Sequence, residues 1–568
     1  MKRTGFRKGT ARAVAAGVLA FVGAGVGVGT EIGVAFGGEL GGTRVDLTAT
    51  TGAAWHAENG NGSPCDDRYG DGVLRLNAVG NRGPWRFGVR LDGAAFVAAP
   101  GAGDGCSESV LENRYQPRGV PEKLQLGWAG RDVTGRRDAE VTLGDAYVSF
   151  GRGLTLSLRK VDELSVDTTL RGAKVILRKG ALSATVAAGT PNPGNLDEAS
   201  GRRLVDPYDL VAGVESRVAL GRRAGIGAHV AAIAFHEPHG FVPPGQDLSY
   251  GERWLIGGPV FDAPRLSEQV GVYLEGVAQR RAPAREGSEV ETGFGLYGAV
   301  TILAGRATVL VEGKAYGDLE IAQPDLTDLH ELEFSALQYA AAPTAERLLQ
   351  EIAHPQREIF GARVRVDVAA STRLAAHASA AVFRDHVGYD VDVDPGLTVM
   401  LESATGTIVD PYAGVELRWD SARSRALLSG GYRAVVAGEQ TDLVYGDGHV
   451  ELDFVQAFAE GRAVEVGATH LERQKIDAGV AKDWREGSVQ LGTRPTRRLL
   501  VAAGWDYTTD TSQPRTHFLS GTLEWQLSAS SSVRLFGGAM RGGLKCVSGV
   551  CRTFPPFEGV KLAMTLRW

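Results

Sequence analysis

Past its first 40 residues the 568-residue chain lacks any run of apolar residues long enough to cross a membrane as a helix, which takes about 20 in a row. A bundle of spanning helices is therefore excluded. Cysteine is scarce, with four residues in all, and no Cys-x2-Cys pair offers the spacing of a zinc site. An excess of one charge is also missing. The net charge is -6 over 61 basic and 67 acidic residues, without clusters, so nothing suggests a nucleic-acid partner. Proline is limited to 23 residues, whereas glycine reaches 77, about double its usual share of roughly 7%. No collagen period and no Gly/Ser linker accounts for that glycine. What a folded protein needs is present: 19 Phe, 14 Tyr and 9 Trp argue against disorder.

Lys2, Arg3, Arg7, Lys8 and Arg12 precede an apolar stretch of small residues from Ala13 to Val28. This is the pattern of a secretory signal peptide, placed at residues 1–37 with cleavage near Gly29 or Ala35/Gly37; the alternative is an N-terminal membrane anchor. No lipobox-type cysteine follows. In an oxidising compartment Cys65, Cys106, Cys546 and Cys551 are expected to form disulfides. Cys546 and Cys551 are close enough in sequence to close a small loop, which would leave Cys65 to pair with Cys106.

The remaining chain alternates with period two. In Trp85–Asp92, Ala362–Val368, Ala413–Trp419, Val450–Phe454 and Leu519–Leu527, one parity is apolar and the other carries Arg, Glu, Asp, Ser or Thr. Successive side chains of a strand point to opposite faces, so each segment has one apolar and one polar face. A soluble β-sandwich array, a propeller or β-helix, and a membrane barrel all fit that pattern. The last ten residues discriminate. Val560, Leu562, Met564, Leu566 and Trp568 alternate with Lys561, Ala563, Thr565 and Arg567. This resembles the C-terminal sorting signal of bacterial outer-membrane barrels, an aromatic end preceded by alternate hydrophobic residues. The resemblance implies recognition by the barrel-assembly machinery.

Connections agree. Short ones lie at 80–83, 179–180, 221–224, 304–306, 421–424, 494–496 and 528–531. Long ones lie near 55–71, 96–120, 190–208, 236–267, 386–410 and 543–556, and all four cysteines fall in the long class. Outer-membrane barrels alternate short periplasmic turns with long external loops. An unpaired backbone group costs several kcal/mol in hydrocarbon, so a spanning sheet must close. A charge on the lipid face costs about 2–4 kcal/mol at the midplane. Arg75, Arg86, Arg90, Lys174, Arg178, Arg363, Arg365, Arg418, Arg534, Lys561 and Arg567 therefore belong to the lumen, with Asp92, Asp367, Glu416, Glu451, Asp453 and Glu524. The wall looks more basic than the chain, which would favour anions. At roughly 22–26 residues per strand and connection, residues 38–568 yield an all-β, single transmembrane antiparallel barrel of about 22 strands, within 20–24. Alternation already visible at Leu74, Leu76 and Ala78 leaves no room for a separate plug domain.

One stretch stands out: Gly144-Asp145-Ala146-Tyr147-Val148-Ser149-Phe150-Gly151-Arg152-Gly153, continuing through Arg159, Lys160, Asp162, Glu163, Asp167 and Arg171. It is similar to a Gly-Asp-x-Tyr-x-x-Phe-Gly-Arg-Gly element of an uncharacterised family of large Gram-negative outer-membrane barrels, which is followed by a Leu-Arg-Gly segment. Tyr339, Pro343, Thr344, Glu346 and Arg347 resemble a second shared element. The resemblance implies a barrel in the cell outer membrane and assigns no substrate. Gly151 and Gly153 permit a sharp bend, and the barrel parity works better if 151–168 is an excursion. Folded inward, it would bring Arg152, Arg159, Lys160, Asp162, Glu163 and Asp167 to a pore constriction, where opposed charges sort solutes. The plainer alternative is a set of lumen-facing residues in ordinary ion pairs.

Other constellations are weaker. Asp390, Asp392 and Asp394 open like a calcium loop, but Leu401 stands where the loop needs Glu, which leaves an acidic external loop. His236-Glu237-Pro238-His239 is not His-Glu-x-x-His. No Gly-x-Ser-x-Gly elbow or phosphate loop occurs. His449 and His470 lie on neighbouring expected strands without a choosable Ser or Asp partner, so no enzyme, cofactor or metal is expected. The reading is a porin-like channel for passive passage of small hydrophilic solutes, in contact with outer-membrane lipid. The alternative is a structural or surface-binding barrel with a closed lumen.

Overall fold

The computed structural model describes residues 37–567 other than 41, 61–63, 102–103, 105, 107–114, 132–136, 197–207, 237–250, 283–288, 321–337, 342, 344–357, 395–396, 438–441, 459–460, 478–479, 512, 514, 548–549 and 555. The expected signal peptide at 1–37, apart from Gly37, and Trp568, Thr344, Glu346, Arg347 and His239 lie outside them. One antiparallel sheet gathers 25 strands. The short strand Gly37–Leu40 folds back on Thr43–His56, and the other 24 close into a barrel. Closure joins Thr43–His56 to the last strand, Phe557–Arg567, from Thr48↔Arg567 to His56↔Gly559. With the seam paired, no edge is left to hydrocarbon. The count lies two above the sequence expectation and within its range.

The alternation sets the two faces. Trp85, Phe87, Val89 and Leu91 are exposed on the outside, while Arg90 and Asp92 are buried. Leu519, Leu523, Trp525 and Leu527 likewise face out, and the opposite parity holds Glu524, whose carboxylate pairs with Arg534 at 2.7 Å. Trp55 and Trp505 near the external ends, with Trp85 and Trp525 near the turns, are also exposed. Aromatic residues at both ends of an apolar band are the habit of membrane barrels.

Short turns do fall at one end and long connections at the other, with two departures. The expected loop 236–267 contains a full strand, Arg253–Ala263. Gly257, Gly258 and Pro259 interrupt its alternation, and its pairing to Val270–Ala282 lapses at Gly258 and Pro259 while the register is kept. The expected loop 386–410 is instead the far part of a hairpin made by Leu374–Asp394 and Leu397–Trp419. Asp390 pairs with Met400 and Asp392 with Thr398, so these aspartates ride on a strand rather than in a calcium-type turn. At the long-loop end a disulfide links Cys65 and Cys106, 41 residues apart. Cys546 and Cys551 are opposed in the hairpin Gly543–Val547/Val550–Phe554.

Candidate functional site: a segment folded into the lumen

Strands Arg137–Ala146 and Thr169–Lys179 are direct neighbours, paired from Leu170↔Ala146 to Lys179↔Arg137. Residues 147–168 therefore leave the wall between two adjacent strands. They form short strands Val148–Phe150 and Leu156–Leu158, which pair with each other, then Lys160–Val161 and Val166–Asp167 around a 3-10 turn at Asp162–Leu164. The apolar residues of this segment are buried. Val148, Phe150, Leu154, Leu156 and Leu158 are each at most 1% exposed and pack with Val211, Ile233, Trp254, Ile256, Tyr273 and Tyr297. Those wall residues have the parity opposite to the exposed Leu210, Val214, Leu255, Leu274 and Leu296. The hydrophobic core of the molecule thus lies inside the barrel, and the segment is its centre.

The Gly151-Arg152-Gly153 turn is its anchor. The Gly151 amide donates to Glu215 at 2.9 Å and the Arg152 amide to Glu275 at 2.7 Å. The Arg152 guanidinium lies 4.1 Å over the Tyr273 ring and donates to the Tyr297 hydroxyl at 3.1 Å. Tyr273 in turn donates to Glu275 at 2.5 Å, and His229 Nε2 stands 3.3 Å from the same carboxylate. Thr155 Oγ1 meets His229 Nδ1 at 2.7 Å. Both glycines are required. Their φ values are +57° and +103°, in the left-handed region that side chains avoid. A Cβ on Gly151 would sit 2.2 Å from the Glu275 carboxylate, and one on Gly153 would sit 2.7 Å from the Ala341 carbonyl oxygen.

The far end of the segment is tied to the wall beside the strand from which it departs. Asp167 accepts from Arg90 and from the Tyr147 hydroxyl, both at 2.6 Å, and pairs with Lys123. Arg90 also binds Asp92, which Arg75 reaches from the next strand. Burial works against the Asp167 carboxylate, but Lys123, Tyr147 and Arg90 outweigh it and hold the group down to about 2. Burial and the neighbouring Asp167 charge push the Tyr147 hydroxyl up.

Five of the six residues expected at a constriction thus fall into two sets. Arg152 and Asp167 are engaged with the wall. Lys160 pairs with Asp162, and these two side chains are 48% and 77% exposed; Glu163 beside them is also exposed. Arg159 belongs to neither set: its carbonyl accepts from Thr168 at 3.2 Å, and burial draws its guanidinium down from its usual range.

Two other inward pieces meet the segment. Tyr339, fully buried, accepts at its carbonyl from Ser157 at 2.6 Å and bonds Asp209 through its hydroxyl. The two motif elements separated by some 190 residues are therefore in contact. The external hairpin at 543–554 sends Arg552 to the Leu164 carbonyl at 2.9 Å, and Phe554 packs near Val161 and Leu164.

Sequence reasoning did not single out Glu215, His229, Glu275, Tyr273 or Tyr297. The available signal was the alternation of Val270–Ala282, which puts Tyr273, Glu275, Val277, Gln279 and Arg281 on one face. The lumen-facing charges are mostly compensated. Arg363 binds Glu312, Arg365 binds Asp367, and Arg418 binds Glu416. Arg86 and Arg567 are exposed, and Lys561 lies over the Phe557 ring. His449 and His470 are on neighbouring strands but on opposite faces, since His449 opposes Leu471 and His470 opposes Val450. His236 donates its amide to Asp209 at 2.6 Å.

Residues 434–568 match the profile of a family of unknown function (DUF6029). No curated protein matches the chain. Among solved structures the chain is similar to the siderophore receptor PirA of Pseudomonas aeruginosa, at 8% identity over 92% of this chain and 80% of that one, with a TM-score of 0.44. It is also similar to OccK2 of the same organism, at 12% identity over 71% and 96% with a TM-score of 0.37. A BenF-like porin of Pseudomonas fluorescens matches at 11% over 70% and 95%, with a TM-score of 0.34.

Proposed function

We propose that the chain is exported by the signal peptide at 1–37 and inserted in the outer membrane through its C-terminal strand. There it acts as a channel for passive passage of small hydrophilic solutes. The observation that supports this most directly is the segment 147–168, held inside a closed wall of 24 strands. A wall of that size encloses more space than side chains can fill, so it needs either water or inward loops. The segment narrows that space, and Arg159, Lys160, Asp162 and Glu163 line the narrowed part. Because Arg365, Arg418 and Arg534 are each paired with a carboxylate, the wall favours weak ion selectivity over the mild anion preference that counting its basic residues suggests.

Purified, heat-modifiable protein in planar bilayers is expected to give discrete conductance steps, and liposomes containing it to swell in small polar solutes. Arg159→Ala and Arg152→Ala should alter conductance or selectivity; unchanged values in both would remove the constriction. A second reading is favoured by the meeting of segment 147–168, Ala341 and the 543–554 hairpin in one buried cluster. It is a structural or surface-binding barrel with a closed lumen, and a folded protein that neither conducts nor swells liposomes would establish it over the channel.

A further inference from the structure

The wall strands Phe360–Ala369, Leu374–Asp394, Leu397–Trp419, Ser424–Ala437 and Asp442–Ala457 carry an aromatic row on their lumen parity. This parity is opposite to that of the exposed Val364, Val382, Val415, Leu417, Leu428 and Val450. His377, Tyr412 and His449 are the rings. His377 and Tyr412 have centroids 5.1 Å apart with planes 30° apart; Tyr412 and His449 are 5.8 Å apart at 28°. Glycines make room for them. A Cβ on Gly414 would lie 2.5 and 2.8 Å from two adjacent atoms of the His377 ring, and one on Gly431 would lie 3.1 Å from His449. The His377 and His449 rings therefore lie over the backbone of the neighbouring strand, and the three rings run along the wall with successive planes about 30° apart. His377 and Tyr412 stand on adjacent strands, whereas Tyr412 and His449 are separated by the strand Ser424–Ala437, to which both are paired at Gly431. His377 and Tyr412 are half-buried, which leaves ring surface toward the lumen.

The border of this row is polar and electrically balanced. On one side Arg365 grips Asp367 through Nε at 2.9 Å and Nη2 at 2.7 Å. On the other, Arg418 grips Glu416 through Nε at 2.8 Å. The side chains of Arg365, Asp367 and Arg418 remain 37%, 44% and 45% exposed. Each fork has its charge cancelled yet keeps outward N–H groups and lone pairs at the rim. The row continues as hydroxyls and carboxylates: Ser429 faces Glu451, and Thr469 bonds Ser488 at 2.8 Å.

We propose that this wall is a binding subsite for neutral saccharides. A pyranose has an apolar C–H face and a rim of equatorial hydroxyls. The face matches the half-exposed ring surfaces of His377 and Tyr412, and the hydroxyls match fixed, planar donors and acceptors that need no counter-charge. An organic anion or cation would meet forks that are already neutralised. The subsite rests on the lumen being open to solutes, as in the channel reading.

Maltotriose is the probe, with poly(ethylene glycol) of matching size as the control. Binding to folded protein in micelles is read by calorimetry, independently of conductance, and current block in bilayers is read separately. Wild-type protein should bind maltotriose and ignore the control. Tyr412→Ala should weaken binding about fivefold to tenfold, the loss expected for one stacking contact. Tyr412→Phe should stay within about threefold, because the ring is kept. His377→Ala should weaken binding while heat-modifiability persists. Absence of maltotriose binding by the folded wild type overturns the subsite, and so does binding indifferent to both alanine variants. Binding without any conductance or swelling would leave the subsite standing and defeat the channel.

Discussion

At the scale of single residues, the molecule concentrates its constraints on the Gly151-Arg152-Gly153 turn and on Asp167. Gly151→Ala places a methyl group against the Glu275 carboxylate at a φ of +57°. Strain of this kind costs about 1–3 kcal/mol. The strained backbone is the segment's own, and the wall side meets it only through the Glu275 side chain, so the barrel should stay heat-modifiable while the segment loosens and trypsin reaches Arg152 and Arg159; cleavage no faster than in the wild type would show the turn to be tolerant. Asp167 makes a pH-dependent contribution of definite sign. Its folded pKa of about 2 lies below the ordinary 3.8. Ionised Asp167 therefore stabilises the docked segment fully above about pH 4, and the contribution of about 2 kcal/mol disappears as pH falls through 2. Protease resistance of the segment should be equal at pH 7 and pH 5 and reduced near pH 2. Asp167→Asn should show the low-pH behaviour at pH 7, because the amide cannot pair with Arg90 and Lys123 as an anion.

At the scale of strands, the alternation was readable wherever both solvents act on a strand, as in Trp85–Val97 and His517–Ser528. It failed for physical reasons in two places. Arg253–Ala263 passes over Gly257, Gly258 and Pro259, which carry no parity signal. The outer part of the hairpin Leu374–Asp394/Leu397–Trp419 carries Asp390, Asp392 and Asp394 where an apolar face would be read, so nothing in its pattern marks a membrane strand. The two-solvent account predicts an asymmetry between adjacent positions. Leu523 faces out between Val501 and Leu535, whereas Thr522 faces in. Leu523→Lys should destabilise the barrel by about 2–4 kcal/mol if near the midplane, whereas Thr522→Lys, whose ammonium stays in the lumen, should cost below about 1 kcal/mol. Urea unfolding in lipid vesicles measures both, and equal costs would contradict the assignment of faces.

At the scale of the whole molecule, closure was legible in the C-terminal alternation from Val560 to Leu566, and strand number followed from length. The inward segment was legible in part. Gly151 and Gly153 marked a bend, but the partners of that bend, Glu215, Glu275 and Ala341, lie 64 to about 190 residues away. Their approach depends on the register around the barrel, which no local pattern contains. That same register makes the segment dispensable to the wall. Strands Arg137–Ala146 and Thr169–Lys179 pair along their whole length without it, so the barrel needs only a turn between Ala146 and Thr169. Replacing 147–168 by a short Asn-Gly turn should leave the heat-modifiable barrel intact. It would also remove Val148, Phe150, Leu154, Leu156 and Leu158 from the buried cluster inside it. The apolar lumen residues they covered, Ile233, Trp254 and Ile256, would then meet water. The variant should lose stability by several kcal/mol at roughly 1.5–3 kcal/mol for each large side chain uncovered, yet conduct more per channel than the parent. Lower stability with unchanged conductance would mean that solutes pass elsewhere or that Tyr339 and the 543–554 hairpin suffice to close the lumen. Higher conductance would identify segment 147–168 as the element that sets the width of the pore.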